Sequence, residues 1–276
     1  MKTPSTSESD PFAVLKQGVR WMWSLGDYTA LARILEPPAE RLASELDVRP
    51  GIALLDVAAG NGNFAIAAAR HGAEVTASDL TPAMVALGRR RTRDEGLEIA
   101  WLEADVESLP FDDDRFDVVA SVFGAMFAPR PDRVAREMFR VARPGGVVAM
   151  ANYSDGGFLG GFASLMARHS RPSPFKLPSP FEWGDEAELR RRLEPFSASI
   201  EVSAGELSFE FASVDVGLAF WERTNPPHIA LRSTLDSNQY ATFMKEAAEL
   251  MEALNASSSG LVLKSPYVTV VAQKKI

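Results

Sequence analysis

Short apolar runs alternate with helix-like segments between residues 52 and 152, and this alternation constrains the fold more than any other feature. Strand patterns occur at 52–57, 74–78, 99–104, 116–122 and 147–152, and helical patterns separate them. Strands that alternate with helices are typical of a parallel, doubly wound sheet. The sequence therefore predicts an α/β fold.

The first predicted strand leads into the turn Gly60-Asn61-Gly62 and then into an Ala-rich helix. Glycines at the mouth of a strand let the backbone approach a ligand closely, and the following helix directs its N-terminus at that ligand. Dinucleotide sites use the same device. Asp56, at the end of the strand, would repel a pyrophosphate and would suit a ligand that carries an ammonium group.

Two more acidic residues follow neighbouring strands of the predicted sheet. Asp79 ends the second strand and Asp105 follows the third. Because open α/β sheets bind ligands at the carboxyl ends of their strands, Asp56, Asp79 and Asp105 predict a site at one edge of the sheet. An acid at Asp79 can accept both hydroxyls of a ribose, which dinucleotides also contain, so it does not by itself identify the ligand.

Composition excludes several other classes of protein. The formal net charge of -8 argues against non-specific binding to nucleic acid or to an anionic membrane, since both need a cationic face. The absence of cysteine excludes disulfides and a cysteine nucleophile. Residues 1–10 are polar and lack the apolar region of a signal peptide, and no apolar stretch is long enough to insert into a membrane. We expect a cytoplasmic protein.

Five motifs together resemble the class I S-adenosylmethionine (SAM)-dependent methyltransferases, in particular the small-molecule branch that includes the menaquinone and ubiquinone C-methyltransferases. They are Leu55-Asp56-Val57-Ala58-Ala59-Gly60-Asn61-Gly62, Ala77-Ser78-Asp79-Leu80-Thr81-Pro82-Ala83-Met84, Ala104-Asp105-Val106-Glu107-Ser108-Leu109-Pro110-Phe111, Phe116-Asp117-Val118-Val119 and Arg143-Pro144-Gly145-Gly146. The resemblance implies a Rossmann-like, seven-stranded sheet of order 3-2-1-4-5-7-6 with strand 7 antiparallel.

The resemblance also divides the chain and assigns a cofactor. It implies a single methyltransferase domain over 1–276, with an N-terminal helical cap (11–46), a SAM-binding core (48–153), a cap or lid insertion (154–195) and a C-terminal part of the sheet with helices (196–276). The cofactor would be SAM and its product S-adenosylhomocysteine (SAH). The implied cofactor-binding residues are Tyr28, Asp56, Ala58, Gly60, Gly62, Asp79, Leu80, Met84, Ala104, Asp105, Val106, Ser121 and Phe123.

The acceptor is less constrained than the methyl donor. Methyl transfer from a sulfonium is an in-line displacement, so positioning and exclusion of water carry much of the catalysis. Aromatic residues in 11–30 and 154–183 predict a mobile, apolar lid that suits a small apolar or aromatic acceptor. The candidate acceptor-binding residues are Trp23, Phe127, Phe158 and Phe162.

The sequence identifies no general base and leaves the attacked atom (O, N or C) and the oligomeric state open. His228, His169 and Tyr153 are the candidates for a catalytic role, and no His, Asp or Glu cluster has the spacing of metal ligands. Two alternatives stay open, a nicotinamide-dependent oxidoreductase on a Rossmann fold and a non-catalytic SAM-binding protein.

Overall fold

The computed structural model describes residues 12–172 and 175–276, and the centre of the fold is one seven-stranded sheet. The strands are β1 (Ala53–Val57), β2 (Glu74–Asp79), β3 (Ile99–Glu103), β4 (Phe116–Val122), β5 (Ala142–Tyr153), β6 (Ser197–Phe211) and β7 (Leu261–Lys274). Their order is β3-β2-β1-β4-β5-β7-β6. The first five strands pair in parallel, whereas β7 runs antiparallel to both β5 and β6. These findings confirm the predicted fold class.

Helices flank the sheet on both faces. They are α1 (Ala13–Trp23), α2 (Tyr28–Ile34), α3 (Glu36–Glu45), α4 (Asn63–Arg70), α5 (Pro82–Asp94), α6 (Pro131–Val141), α7 (Gly157–His169), α8 (Glu186–Leu193), α9 (Val214–Thr224), α10 (Pro226–Arg232) and α11 (Ser237–Ala253). Short 3₁₀ helices span Ala125–Phe127 and Pro180–Gly184. None of the helices in the described ranges is long and apolar enough to cross a membrane. Residues 1–10, in which the sequence predicts no signal peptide, lie outside these ranges.

Two layers of apolar side chains hold the helices to the sheet. Leu54 belongs to the cluster that contains α3 and α4, and its neighbour Leu55 belongs to the cluster that contains α6 and α7. Successive residues of a strand point to opposite faces, so both must be apolar when both faces are covered. This is why the central strands have continuous apolar sequences.

The N-terminal segment divides at two places that the sequence indicates. The helical pattern of 11–46 predicts an interruption at Pro37-Pro38, and helix α2 does end at Ile34, just before α3, which holds both prolines in its first turn, where a missing backbone N–H leaves no hydrogen bond unmade. The chain also turns at Gly26-Asp27, and the Asp27 side chain accepts a hydrogen bond from the Ala30 backbone N–H at 3.3 Å. Residue 11, the predicted start of this cap, lies outside the described residues.

The segment after Tyr153 contains a helix where the glycines predicted none. Gly156 adopts a φ of 98° ahead of α7, and Phe158, Phe162 and Leu165 of this helix are buried at helical spacing. Burial of this apolar stripe outweighs the weak helix propensity of glycine, which costs about 1 kcal/mol per residue. The glycines and prolines of 156–180 predict no continuous helix in that range, and α7 shows that this prediction is wrong.

Candidate active site

A cavity of ≈ 790 Å³ lies at the carboxyl ends of β1, β2 and β3. It lies where the three acidic strand ends predicted a site, with the glycine turn on one side and α1 on the other. The predicted cofactor residues that line it are Tyr28, Ala58, Gly60, Asp79, Leu80, Met84, Ala104, Asp105, Val106 and Phe123. Trp23 and Phe127, predicted to contact the acceptor, also line this first cavity.

Asp79 ties the glycine turn to the end of β2. Its Oδ2 accepts a hydrogen bond from the Gly60 backbone N–H at 2.8 Å, and its Oδ1 accepts one from the Thr81 backbone N–H at 2.8 Å. Burial raises the pKa of this carboxyl group above its ordinary value, and the two backbone hydrogen bonds oppose that rise. Each oxygen keeps lone-pair capacity toward the cavity, so Asp79 can accept further hydrogen bonds.

Asp56 has a different position from the predicted one. It is almost fully buried and does not line the first cavity, and its Oδ2 accepts a hydrogen bond from the Ala65 backbone N–H at 2.9 Å. Burial raises the pKa of this carboxyl group well above its ordinary value. Asp56 borders a smaller cavity of ≈ 300 Å³ with Tyr28, Asn61 and Asn63. Its visible role is to hold the first turn of α4 against β1.

Gly62 and Ser121 also lie outside the first cavity wall. Gly62 has a φ of 91°, and an added Cβ would lie 2.8 Å from the Trp101 ring, so glycine is needed there for packing. The Ser121 hydroxyl is buried and accepts a hydrogen bond from the Ala125 backbone N–H at 2.9 Å. Both residues therefore support the cavity wall from behind, and their predicted contact with the cofactor stays a prediction.

Lys16 of α1 closes one end of the first cavity and was not predicted. Its Nζ lies 2.6 Å from Asp105 Oδ2 and 2.6 Å from Glu107 Oε2. Asp105 Oδ1 in turn accepts a hydrogen bond from the Glu107 backbone N–H at 2.9 Å. The α1 helix is therefore held over the cavity by charge as well as by apolar contact. No spacing rule marks a single lysine in an amphipathic helix, so the sequence carried no signal for it.

A second cavity of ≈ 670 Å³ adjoins the first. Trp23, Tyr28, Phe123 and Phe127 line both cavities and form the boundary between them. Trp23 packs edge-on against Tyr28 and Phe127, with ring centroids 5.8 Å and 5.4 Å apart. We call these four residues the aromatic collar.

The rest of the second cavity is mainly apolar. Its other described lining residues are Leu31, Leu35, Tyr153, Leu159, Phe162, Ala163, Met166, Phe181, Phe209, Trp221, Asn225, Pro226 and Pro227. Phe162 therefore lies where an acceptor-binding residue was predicted. Phe158 is not a lining residue and instead packs behind the wall, against Trp221 at 5.1 Å and Phe209 at 5.9 Å. Leu31 of α2 and Trp221 of α9 were missed, because the sequence does not show which faces of these helices border the second cavity.

The two candidate histidines do not line either cavity. His228 is fully buried behind Phe162, and its Nε2 lies 3.1 Å from the Tyr240 hydroxyl oxygen. Burial lowers the pKa of His228 to about 4. His169 Nε2 lies 3.3 Å from Glu246 Oε2. Neither histidine therefore reaches these cavities in the structure, and a catalytic role for either has no geometric support.

Tyr153, the third candidate, does line the second cavity. Its ring stacks on Phe123 of the collar at a centroid distance of 4.2 Å. Burial raises the pKa of Tyr153 well above its ordinary value, and the neighbouring Tyr28 raises it further. The phenol therefore stays protonated at neutral pH and can donate a hydrogen bond, but it is unsuited to act as a general base.

Comparison with known proteins gives the same picture as the geometry. A family model described as a methyltransferase domain matches residues 55–150. Rv1403c of Mycobacterium tuberculosis (strain ATCC 25618 / H37Rv) is 38% identical over 275 residues, which cover 99% of this chain and 98% of that protein. The ubiquinone/menaquinone biosynthesis C-methyltransferase UbiE of Idiomarina loihiensis is 39% identical over 112 residues, 39% of this chain and 45% of UbiE.

Among solved structures, the YcgJ protein of Bacillus subtilis has a TM-score of 0.59 at 18% identity, covering 86% of this chain and 98% of YcgJ. That likeness shows a shared fold. The matched family range contains the glycine turn, Asp79 and Asp105, the residues that build the first cavity. The chain therefore belongs to the class I SAM-dependent methyltransferases.

Proposed function

We propose that the first cavity holds SAM, that the second holds a small apolar acceptor, and that the methyl group passes between them at the aromatic collar. One observation carries this proposal: the two cavities share Trp23, Tyr28, Phe123 and Phe127 as a common boundary. A group-transfer enzyme needs its two substrates side by side, because a pre-positioned reaction avoids most of the entropic cost of encounter.

The residues of the first cavity suit SAM. Asp79 offers free lone pairs for two ribose hydroxyls, Leu80 and Met84 offer apolar surface for adenine, and Asp105 offers an acceptor for its amino group. Gly60 has a φ of 57°, and its backbone borders the cavity directly because glycine has no side chain of its own. When bound, SAM supplies a methyl group already activated on a cationic sulfonium. Aromatic faces of the collar suit a neighbouring cation.

The described wall of the second cavity contains no Asp, Glu, Lys, Arg or His. Transfer of a charged group into such a site without a partner is costly, so the walls favour an acceptor without charge. The contribution of these residues is to position the acceptor and to exclude water from the reacting atoms. Membership of the methyltransferase family does not favour the nicotinamide-dependent alternative.

The helices around the two cavities suit the expected division of the chain into a core with caps. Trp23 and Tyr28 come from segment 11–46, and Phe162 and Phe181 come from segment 154–195. We propose that these two segments cap the acceptor site while 48–153 provides most of the SAM site. The alternative of a non-catalytic SAM-binding protein predicts the same first cavity, so only turnover separates the two.

The test is release of SAH from SAM in the presence of a panel of small aromatic and aliphatic acceptors. Ala163→Trp fills the second cavity from α7, and Ser164→Trp places the same ring on the exposed side of that helix as a matched control. We expect Ala163→Trp to lower turnover at least about 10-fold while SAH affinity is unchanged, since the first cavity is untouched. Equal turnover in both variants would place the acceptor elsewhere, and SAH binding with no turnover across the panel would favour the non-catalytic alternative.

A further inference from the structure

The polar groups of the second cavity are few, and most of them are donors. They are the hydroxyls of Tyr28 and Tyr153, the indole N–H groups of Trp23 and Trp221, and the side chain of Asn225. The Asn225 Oδ1 is already engaged, because it accepts a hydrogen bond from the His228 backbone N–H at 2.9 Å, and its Nδ2 remains a donor. The Trp221 indole nitrogen is sealed from solvent and has no partner among the described residues.

The Tyr28 hydroxyl lies on the side of the SAM cavity. A Cβ added to Gly60 would lie 3.4 Å from this hydroxyl oxygen. Burial raises the pKa of Tyr28, and the nearby charge of Asp79 raises it further. Gly60 and Asp79 both belong to the first cavity. The hydroxyl that remains for the acceptor is that of Tyr153.

The backbone and ring of Tyr153 are fixed by the fold. Tyr153 ends β5, pairs with Tyr267 across β7, and stacks on Phe123 at 4.2 Å. Its hydroxyl makes no hydrogen bond with any residue that the structure describes. The Trp221 indole nitrogen is sealed from solvent, whereas the Tyr153 hydroxyl is accessible. A rigid donor that has no partner and faces an apolar cavity gains most from an oxygen atom in the ligand.

We propose that the methyl acceptor is an uncharged, largely apolar molecule that presents a hydrogen-bond-accepting oxygen to the Tyr153 hydroxyl. Tyr153 is then a specificity-determining residue of the second cavity. This inference rests on the proposed function, in which the second cavity holds the acceptor. A site that is built to hydrogen-bond a polar group discriminates strongly against the analogue that lacks it, because the buried donor is left unpaired.

The experiment uses two probes of nearly equal shape, 2-acetylnaphthalene with a carbonyl oxygen and 2-isopropenylnaphthalene with a CH₂ group in its place. Their affinities are measured on the SAH-saturated protein, with 2-naphthoate as a charged probe. We expect the ketone to bind about 5- to 10-fold more tightly than the alkene, the range of a net hydrogen bond, and naphthoate to bind more weakly than either.

Tyr153→Phe should reduce the ratio between ketone and alkene to about one, because it removes a single oxygen and keeps the stacked ring. Tyr267→Phe is the matched control, since Tyr267 also packs on Phe123, at 5.5 Å, but does not line the cavity. This variant should keep the ratio of the unmodified protein. Tighter binding of naphthoate, equal binding of ketone and alkene, an unchanged ratio in Tyr153→Phe, or no binding of either neutral probe would overturn the proposal.

Titrations with and without SAH separate this inference from the proposed function. If the unmodified protein does not bind SAH but still prefers the ketone to the alkene, the SAM site is refuted and the role of Tyr153 stands. Normal SAH binding with a ratio of one in the unmodified protein would refute the role of Tyr153 alone.

Discussion

Replacement of Asp79 by alanine is the sharpest test of how the first cavity binds its ligand. The carboxylate already accepts backbone hydrogen bonds from Gly60 and Thr81 at 2.8 Å, which hold it rigidly for two further bonds to a ribose. Loss of charge-assisted hydrogen bonds of this kind costs about 1.5–3 kcal/mol. SAH affinity should therefore fall about 10- to 150-fold in calorimetry.

Asp117→Ala provides the matched control for Asp79→Ala. Asp117 Oδ2 also accepts a backbone hydrogen bond, from Ala53 at 2.7 Å, but it lies near the start of β4, at the opposite end of the sheet. Both variants should lose some thermal stability, and only Asp79→Ala should lose SAH affinity. Unchanged affinity in Asp79→Ala, or an equal loss in both variants, would show that the ribose binds elsewhere.

Three further outcomes follow from the geometry. Burial lowers the pKa of His228 to about 4 in the folded state, from an ordinary 6.5. The free energy of unfolding should therefore fall by about 3 kcal/mol as the pH drops from about 6.5 to about 4. Urea unfolding at a series of pH values should show this fall, and His228→Gln should make the free energy of unfolding less dependent on pH. A Cβ on Gly124 would lie 2.1 Å from the Ala58 carbonyl oxygen, so Gly124→Ala should cost about 1–3 kcal/mol and weaken SAH binding; an unchanged melting temperature would contradict this. Amide exchange should be fast in α1 without ligand and slowed by SAH, whereas α7, packed on α11 and β7, should be protected throughout. Equally fast exchange in both helices would instead support a lid that includes both 11–30 and 154–183.

The sheet and its ligand-binding edge were predictable because their signals are local. Buried parallel strands require continuous apolar runs, and the turn at Gly60 requires a residue that tolerates positive φ. The carboxyl ends of neighbouring parallel strands must lie together, so Asp79 and Asp105 could be assigned to one cavity before any coordinates.

The burial of individual side chains was not predictable in the same way. Asp56 and Gly62 belong to the strongest motif, yet Asp56, within β1, accepts a hydrogen bond from the first turn of α4, and Gly62 packs against Trp101. Whether a strand residue borders a cavity depends on how the next helix packs, and the direction of a turn residue depends on its φ and ψ angles; spacing alone gives neither.

The helical parts of the acceptor site were harder still. Phe158 and Phe162 lie four residues apart on α7, but only Phe162 reaches the second cavity. Which of two aromatic residues meets the cavity depends on how α7 packs against α9 and β7. Helix α9 was itself missed, although Ser213 caps its start and Asp215 lies in its first turn, because Gly217 weakens the helical pattern that follows.

The central claim is that the cavity beside Asp79 is built for SAM. The most direct measurement is isothermal titration calorimetry of the purified protein with SAH and, separately, with NAD. The account predicts saturable one-to-one binding of SAH and no binding of NAD, because the glycine turn, Asp79 and Asp105 that build this cavity lie within the matched methyltransferase domain. Tighter binding of NAD than of SAH would contradict it.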